Sequence, residues 1–193
     1  MTHPPAMRIV TLTEAEFSAA CEALARKVHD SGFDYTLIAG IATGGWLVAQ
    51  HMPSPRRVAV TKRRGAHKAR RKLLPALVAR LPRRVNDMLR IAESRLYALK
   101  TRVFPPVPSH VEISPELAAE LSREPNGRIL IVDDAVDSGA TLLSVVEAVR
   151  KIVPEAEIRT AVITVTRPDA VITPDWSLYR EGTIVRFPWA PDN

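Results

Sequence analysis

The chain has 193 residues and a mass of 21.3 kDa, with 46% hydrophobic and 25% charged residues and a net charge of +6. That length is enough to bury a core for one domain with room for an insertion, and the composition excludes a disordered chain. No apolar run reaches the roughly 18 residues that span a bilayer, the opening MTHPPAMRIV lacks the marks of a secretory signal, and a lone Cys21 excludes an internal disulfide framework. A cytoplasmic protein with no membrane partner is the expectation. Cys21 shares a helical stripe with Phe17, Leu24 and Val28, which makes it a core thiol rather than a nucleophile.

In chain order, TEAEFSAACEALARKVHDSG reads as a helix, with Thr13 and Glu16 as its capping box and Gly32 as its stop. YTLIAGIA, residues 35–42, is a short apolar strand ending in a glycine turn, TGG, and WLVAQHM follows as a buried helix. VAV at 58–60 is a second strand, after which the chain becomes basic and helical. Leu73, Leu74, Leu77, Val78 and Leu81 line one helical face, and Val85, Met88, Leu89, Ala92, Leu96 and Leu99 another, which predicts a basic helical hairpin over 62–102. VFPPVPSH is a stiff return, and Ser114 with Pro115 opens a short helix that closes at PNG. RILIV, residues 128–132, is a fully apolar strand. Leu142, Val145, Val146 and Val149 then mark a helix, IRTAVITVT at 158–166 is another strand, and the tail carries WSLY and TIVRFPW. Strands alternating with helices predict an α/β fold, a parallel sheet flanked by helices, in one domain over 1–193 with the basic hairpin inserted. Ligands of such sheets bind at the carboxyl ends of the strands, where both glycine turns fall.

Charge is unevenly spread. Arg56 to Arg102 holds sixteen Lys or Arg against Asp87 and Glu93, a net +14, which leaves −8 on the remainder. The basic segment has three readings: an amphipathic pair packed on itself or on a second subunit, a surface for nucleic-acid phosphates, or a contact for an acidic protein or membrane. With Tyr97 as its one aromatic, it lacks a stacking platform for single strands.

The sharpest feature is ILIVDDAVDSGAT, residues 129–141, which sets Asp133, Asp134 and Asp137 close together directly after the most apolar run. In the loop, Gly139 allows close backbone approach, Ser138 and Thr141 offer hydroxyls, and Ala140 starts a helix, so N–H groups converge on an anion site suited to phosphate. Asp133 and Asp134, as acceptors, suit the adjacent hydroxyls of a ribose. A Mg²⁺ ion held by them, largely through water and ligand oxygens, would relieve their repulsion. The alternative is a helix-entry turn with solvated acids. No GxxxxGK[ST] occurs, and His3, His29, His51, His67 and His110 show no metal spacing.

ILIVDDAVDSGAT resembles the phosphoribosyl-pyrophosphate (PRPP) signature of type I phosphoribosyltransferases, with Ala135 where a larger aliphatic is usual. GIATGGW, residues 40–46, resembles the family's pyrophosphate loop in its hypoxanthine/xanthine (6-oxopurine) subgroup, with Thr43 where a basic residue often stands. PDWSLYREGTIVRFPW resembles the base-binding end of the same subgroup, with Ile184 where an aromatic is common. The resemblance implies a transferase that uses PRPP, Mg²⁺ and a purine base in nucleotide salvage. Asp133, Asp134, Asp137, Ser138, Gly139, Ala140 and Thr141 would hold PRPP. Thr43, Gly44, Gly45 and Lys62, or Arg63, would serve pyrophosphate, and Ile184 and Val185 the base. Asp137 would handle a proton at purine N7. A homo-oligomer is expected, and in the family's arrangement the basic segment takes the place of a loop that covers the active site. A different reading is a PRPP-sensing regulator with residues 62–102 as a nucleic-acid arm.

Overall fold

Thr13 begins helix α1 (Glu14–His29) through a reciprocal capping box: its hydroxyl accepts from the Glu16 N–H while the Glu16 carboxylate accepts from the Thr13 N–H at 2.8 Å. The helix turns Phe17, Ala20, Cys21, Leu24, Ala25 and Val28 inward, the stripe that the sequence predicts. Burial drives the Cys21 thiol up to about 12, which keeps it un-ionised and inert at neutral pH. The structure is a computed structural model that describes residues 8–54, 56–61, 88, 91–92, 96, 111, 113–180 and 183–190.

Five strands, β2 (Leu37–Ile41), β3 (Arg57–Val60), β4 (Arg128–Val136), β5 (Glu157–Val165) and β6 (Trp176–Tyr179), form a wholly parallel sheet in the order β3-β2-β4-β5-β6. Helix α2 (Gly44–His51) follows β2, α3 (Pro115–Ser122) precedes β4, and α4 (Ala140–Ile152) follows it. Both faces of the sheet are covered. Ile38, Leu130, Val132 and Ile163 pack with Phe17, Leu24 and Val48 from α1 and α2. Leu37, Ile129, Ile131 and Val162 pack with Leu117, Leu121, Leu142 and Val145 from α3 and α4. This two-sided burial explains why the strands read as continuous apolar runs, each such side chain contributing about 1.5–3 kcal/mol.

Two details depart from the sequence reading. The strand expected over 128–132 runs on to Val136, because β5 keeps pairing as far as Val136↔Val165, so Asp133 and Asp134 lie in the strand and the loop shrinks to residues 137–139. A strand that the sequence reading passed over, β1 (Arg8–Thr11), pairs in parallel with β7 (Thr183–Arg186) in a separate two-stranded sheet. The Thr164 hydroxyl donates to the Thr183 carbonyl at 2.9 Å and so ties β7 to the carboxyl half of β5.

The hairpin expected over 62–102 lies outside the described residues except for Met88, Ile91, Ala92 and Leu96, which are helical. Of the sixteen cations counted over 56–102, Arg56 and Arg57 are described, and both are structural. Arg56 grips Glu120 of α3 and Glu124 just beyond it at 2.6 Å each, and Arg57 donates to the Ala49 and Met52 carbonyls. Trp176 lies 5.6 Å from Phe33 and Trp189 stacks on Phe187 at 4.9 Å, so both tail tryptophans pack on the body. Among the described residues, no helix is long and apolar enough to cross a membrane.

Candidate active site

The chain leaves β2 toward β3 on one side and returns to pair β4 on the other, so the strand order reverses between β2 and β4. At such a reversal the loops after the two strands part and open a crevice at their carboxyl ends. The motifs of residues 40–46 and 129–141 meet there.

From β2 the chain passes through a cis Ala42–Thr43 peptide into Gly44 and Gly45, the first residues of α2. Side chains are excluded here. A Cβ on Gly44 would lie 2.1 Å from the Asp134 carboxylate, and one on Gly45 would lie 2.4 Å from the Val132 carbonyl oxygen and 2.8 Å from the Asp133 Cα. The two glycines thus bring the amino end of α2 directly against the acidic pair, and the Gly45 N–H donates to Asp133.

Asp133 is only 9% exposed and Asp134 is half-buried. The Asp134 N–H donates to Asp133 at 3.0 Å and the Ala135 N–H to Asp134 at 2.9 Å. Burial, reinforced by the neighbouring Asp134 charge, holds the Asp133 carboxyl well above its ordinary range, and burial also raises Asp134. Two acids sharing a buried site give this pattern, which a cation would relieve. Among the described residues no group of three or more metal-ligating side chains exists. The pair therefore suits a cation that keeps most of its coordination from water and ligand oxygens, as Mg²⁺ does.

This burial has a testable consequence for stability. A raised acid binds its proton more tightly in the folded state, so the penalty is absent below the unfolded value near 3.8 and grows as pH rises toward the folded value. Asp133→Asn is therefore expected to raise the denaturation midpoint of the ligand-free protein at pH 8, with the gain vanishing near pH 4. A variant less stable at both pH values would contradict the burial penalty on Asp133.

Beyond the pair, Asp137 is exposed, Ser138 and Thr141 are half-buried, and Gly139 is buried with φ 79° as the N-cap of α4. That left-handed turn, unstrained in glycine, opens α4, whose Ala140 N–H reaches the Ser138 hydroxyl at 3.5 Å. The head of α4 borders a cavity of about 210 Å³ lined by Asp133, Ala135, Asp137, Ser138, Gly139 and Thr141, which is of a size and polarity to take a phosphate. A larger hollow of about 470 Å³ opens at the amino end of β2 between Arg26, His29, Phe33, Tyr35 and His51. It mixes charges of both signs and lies at the other end of β2 from the two motifs.

The predicted residues fall as follows. Gly44 and Gly45 pack on Asp133 and Asp134, while Ser138 to Thr141 stand at the head of α4, one loop further on. Ile184 is half-buried, whereas the Val185 side chain is in the core, so Val185 can offer only its main chain. Lys62 and Arg63 lie outside the described residues. The sequence reading missed the segment after β5: the Thr166 hydroxyl donates to Asp137 at 2.9 Å, and the Val171 N–H to the Ser138 carbonyl at 2.9 Å. Its signal was position alone, the carboxyl end of a parallel strand.

The architecture is that of a parallel α/β protein whose ligand crevice opens between its two central strands. Residues 76–191 match the sequence profile described as the phosphoribosyl transferase domain, and the chain belongs to that family. Among solved structures it is similar to the purine phosphoribosyltransferase from Pyrococcus horikoshii Ot3, with 23% identity, 95% of this chain and 94% of that one covered, and a TM-score of 0.53. It is also similar to the Helicobacter pylori xanthine-guanine-hypoxanthine phosphoribosyltransferase, with 14% identity, 95% and 94% covered, and a TM-score of 0.54. A hypothetical protein from Neisseria gonorrhoeae with bound ppGpp is similar at 16% identity, 96% and 90% covered, and a TM-score of 0.53. At these identities the likeness is one of fold. No curated protein matches the sequence significantly.

Proposed function

We propose that the protein transfers the phosphoribosyl group of PRPP to a 6-oxopurine base and releases pyrophosphate. The observation that carries this reading is the meeting of the Gly44–Gly45 turn with the buried Asp133–Asp134 pair, one loop away from the glycine-opened head of α4. One ligand bearing a diphosphate, a diol and a terminal phosphate would use all three. The head of α4 would take the 5-phosphate, the acids the ribose hydroxyls, and the turn at Thr43, Gly44 and Gly45 the departing pyrophosphate. Mg²⁺ at Asp133 and Asp134, when bound, would neutralise diphosphate charge. The bond from C1 of the ribose to pyrophosphate breaks as its bond to the purine nitrogen forms, and Asp137 takes the purine N7 proton.

The reading draws support from the family and from neighbours named for purines. Its test is a screen of hypoxanthine, xanthine and guanine with PRPP and Mg²⁺, scored by pyrophosphate release, beside calorimetric PRPP titration of Asp134→Ala. The variant is expected to lose about 1.5–3 kcal/mol of PRPP affinity. Unchanged affinity would remove the ribose assignment. Ile184 gives the base aliphatic contact where a ring would stack, so Ile184→Trp is expected to lower the base KM about 2- to 10-fold. If that change abolishes turnover at every base concentration, the base sits elsewhere.

The basic segment favours a second reading, a PRPP-binding regulator that contacts nucleic acid through residues 62–102. Salt-dependent duplex binding by a chain that binds PRPP yet turns over no base would select it.

A further inference from the structure

We propose that Thr166, at the carboxyl end of β5, is a positioning residue that fixes the orientation of the Asp137 carboxylate. This rests on the reading of Asp137 as the proton acceptor. The geometry leaves the hydroxyl one good use. Thr166 lies directly after β5, and its own N–H already satisfies the Val136 carbonyl at 2.9 Å. The hydroxyl lies 3.3 Å from that same carbonyl oxygen but 2.9 Å from Asp137 Oδ1, so its single proton goes to the carboxylate.

Asp137 gains from being held. It is exposed on the short link between β4 and α4, where a free carboxylate would sample several rotamers. Thr166 is half-buried and β-branched, which restricts its own χ1 and makes it a stiff anchor. The segment that carries it is fixed at further points. The Val171 N–H holds the Ser138 carbonyl at 2.9 Å, and buried Arg167 makes paired hydrogen bonds to Asp169 at 2.9 and 2.7 Å. The β5–β6 connection thus braces the Asp137–Gly139 link from one side. Thr166 bonds one oxygen of Asp137 and leaves Oδ2 to meet a base. A carboxylate held in this way reaches the transition state without first losing rotamer freedom.

The test compares Thr166→Val, which keeps the shape and removes the hydroxyl, with Thr166→Ser, which keeps the hydroxyl. Thr166→Val is expected to lower kcat about tenfold or more with PRPP affinity unchanged, and Thr166→Ser to restore most of it. In an Asp137→Asn background, Thr166→Val should cost nothing further, since its effect runs through that carboxylate. Equal losses in both backgrounds, or a Ser variant no better than Val, would overturn the proposal. A crystal structure of Thr166→Val decides the point without turnover: Asp137 is expected to leave its rotamer. A carboxylate that stays in place overturns the inference even if transfer is confirmed, whereas absent transfer with a displaced carboxylate sinks only the reaction.

Discussion

Replacing Asp137 with Asn is expected to lower turnover about 10²- to 10⁴-fold, or roughly 3–5 kcal/mol of barrier, while PRPP binding survives or improves. Asparagine keeps the size of the side chain and can still meet the Thr166 hydroxyl, so the loop should not move. What it loses is the capacity to accept a proton. It also removes one negative charge close to the cavity at the head of α4, which eases the approach of an anionic ligand. Steady-state kinetics and PRPP titration on the same variant separate these effects. Near-normal turnover would leave Asp137 as a loop residue and shift the proton elsewhere.

The second large effect is expected at Gly45. Most glycine substitutions can be absorbed when the nearest atom is the end of a flexible side chain, but here the added Cβ meets the Val132 carbonyl at 2.4 Å and the Asp133 Cα at 2.8 Å, both main chain of the central strand. Gly45→Ala must push the amino end of α2 away from β4. A loss of about 2–3 kcal/mol of stability is expected from this overpacking, read as a lower denaturant midpoint at unchanged slope. PRPP affinity should fall with it, because the Gly45 N–H moves off Asp133. A variant with wild-type midpoint and affinity would show that the turn stands clear of the acids.

Much of this arrangement was legible in the chain because its causes are local. The capping box at Thr13 and Glu16, the stripe from Phe17 to Val28 and the apolar runs of β2 and β4 each follow from spacing within one element. The turn at Gly139 was readable for the same reason, since glycine before a helix start tolerates the φ of 79° found there. The failures were non-local. Asp133 to Val136 read as loop because acids interrupt the apolar run, and only pairing with β5 keeps them extended. Arg8–Thr11 offers four residues after a proline-containing opening, too few to announce a strand whose partner lies at the other end of the chain. Thr166 carries no pattern at all: one hydroxyl at a strand end becomes informative only once the fold sets it beside Asp137.

The pairing of β1 with β7 has a kinetic consequence. Within the central sheet the widest separation is that of β2 from β4, as in Leu37↔Ile129, but the strand that bears Ile184 docks against Ile9, and Arg186 reaches the Thr11 hydroxyl across 175 positions. Closing so long a loop costs entropy before any contact repays it, which places this ladder among the slowest contacts to form. On the ribosome, β1 must wait for nearly the whole chain to emerge before its partner exists. On the proposed function, the two motifs assigned to the phosphates can therefore be in place while the edge assigned to the base is still open, so that a nascent or partly frayed molecule would bind PRPP before it could select what to join to it.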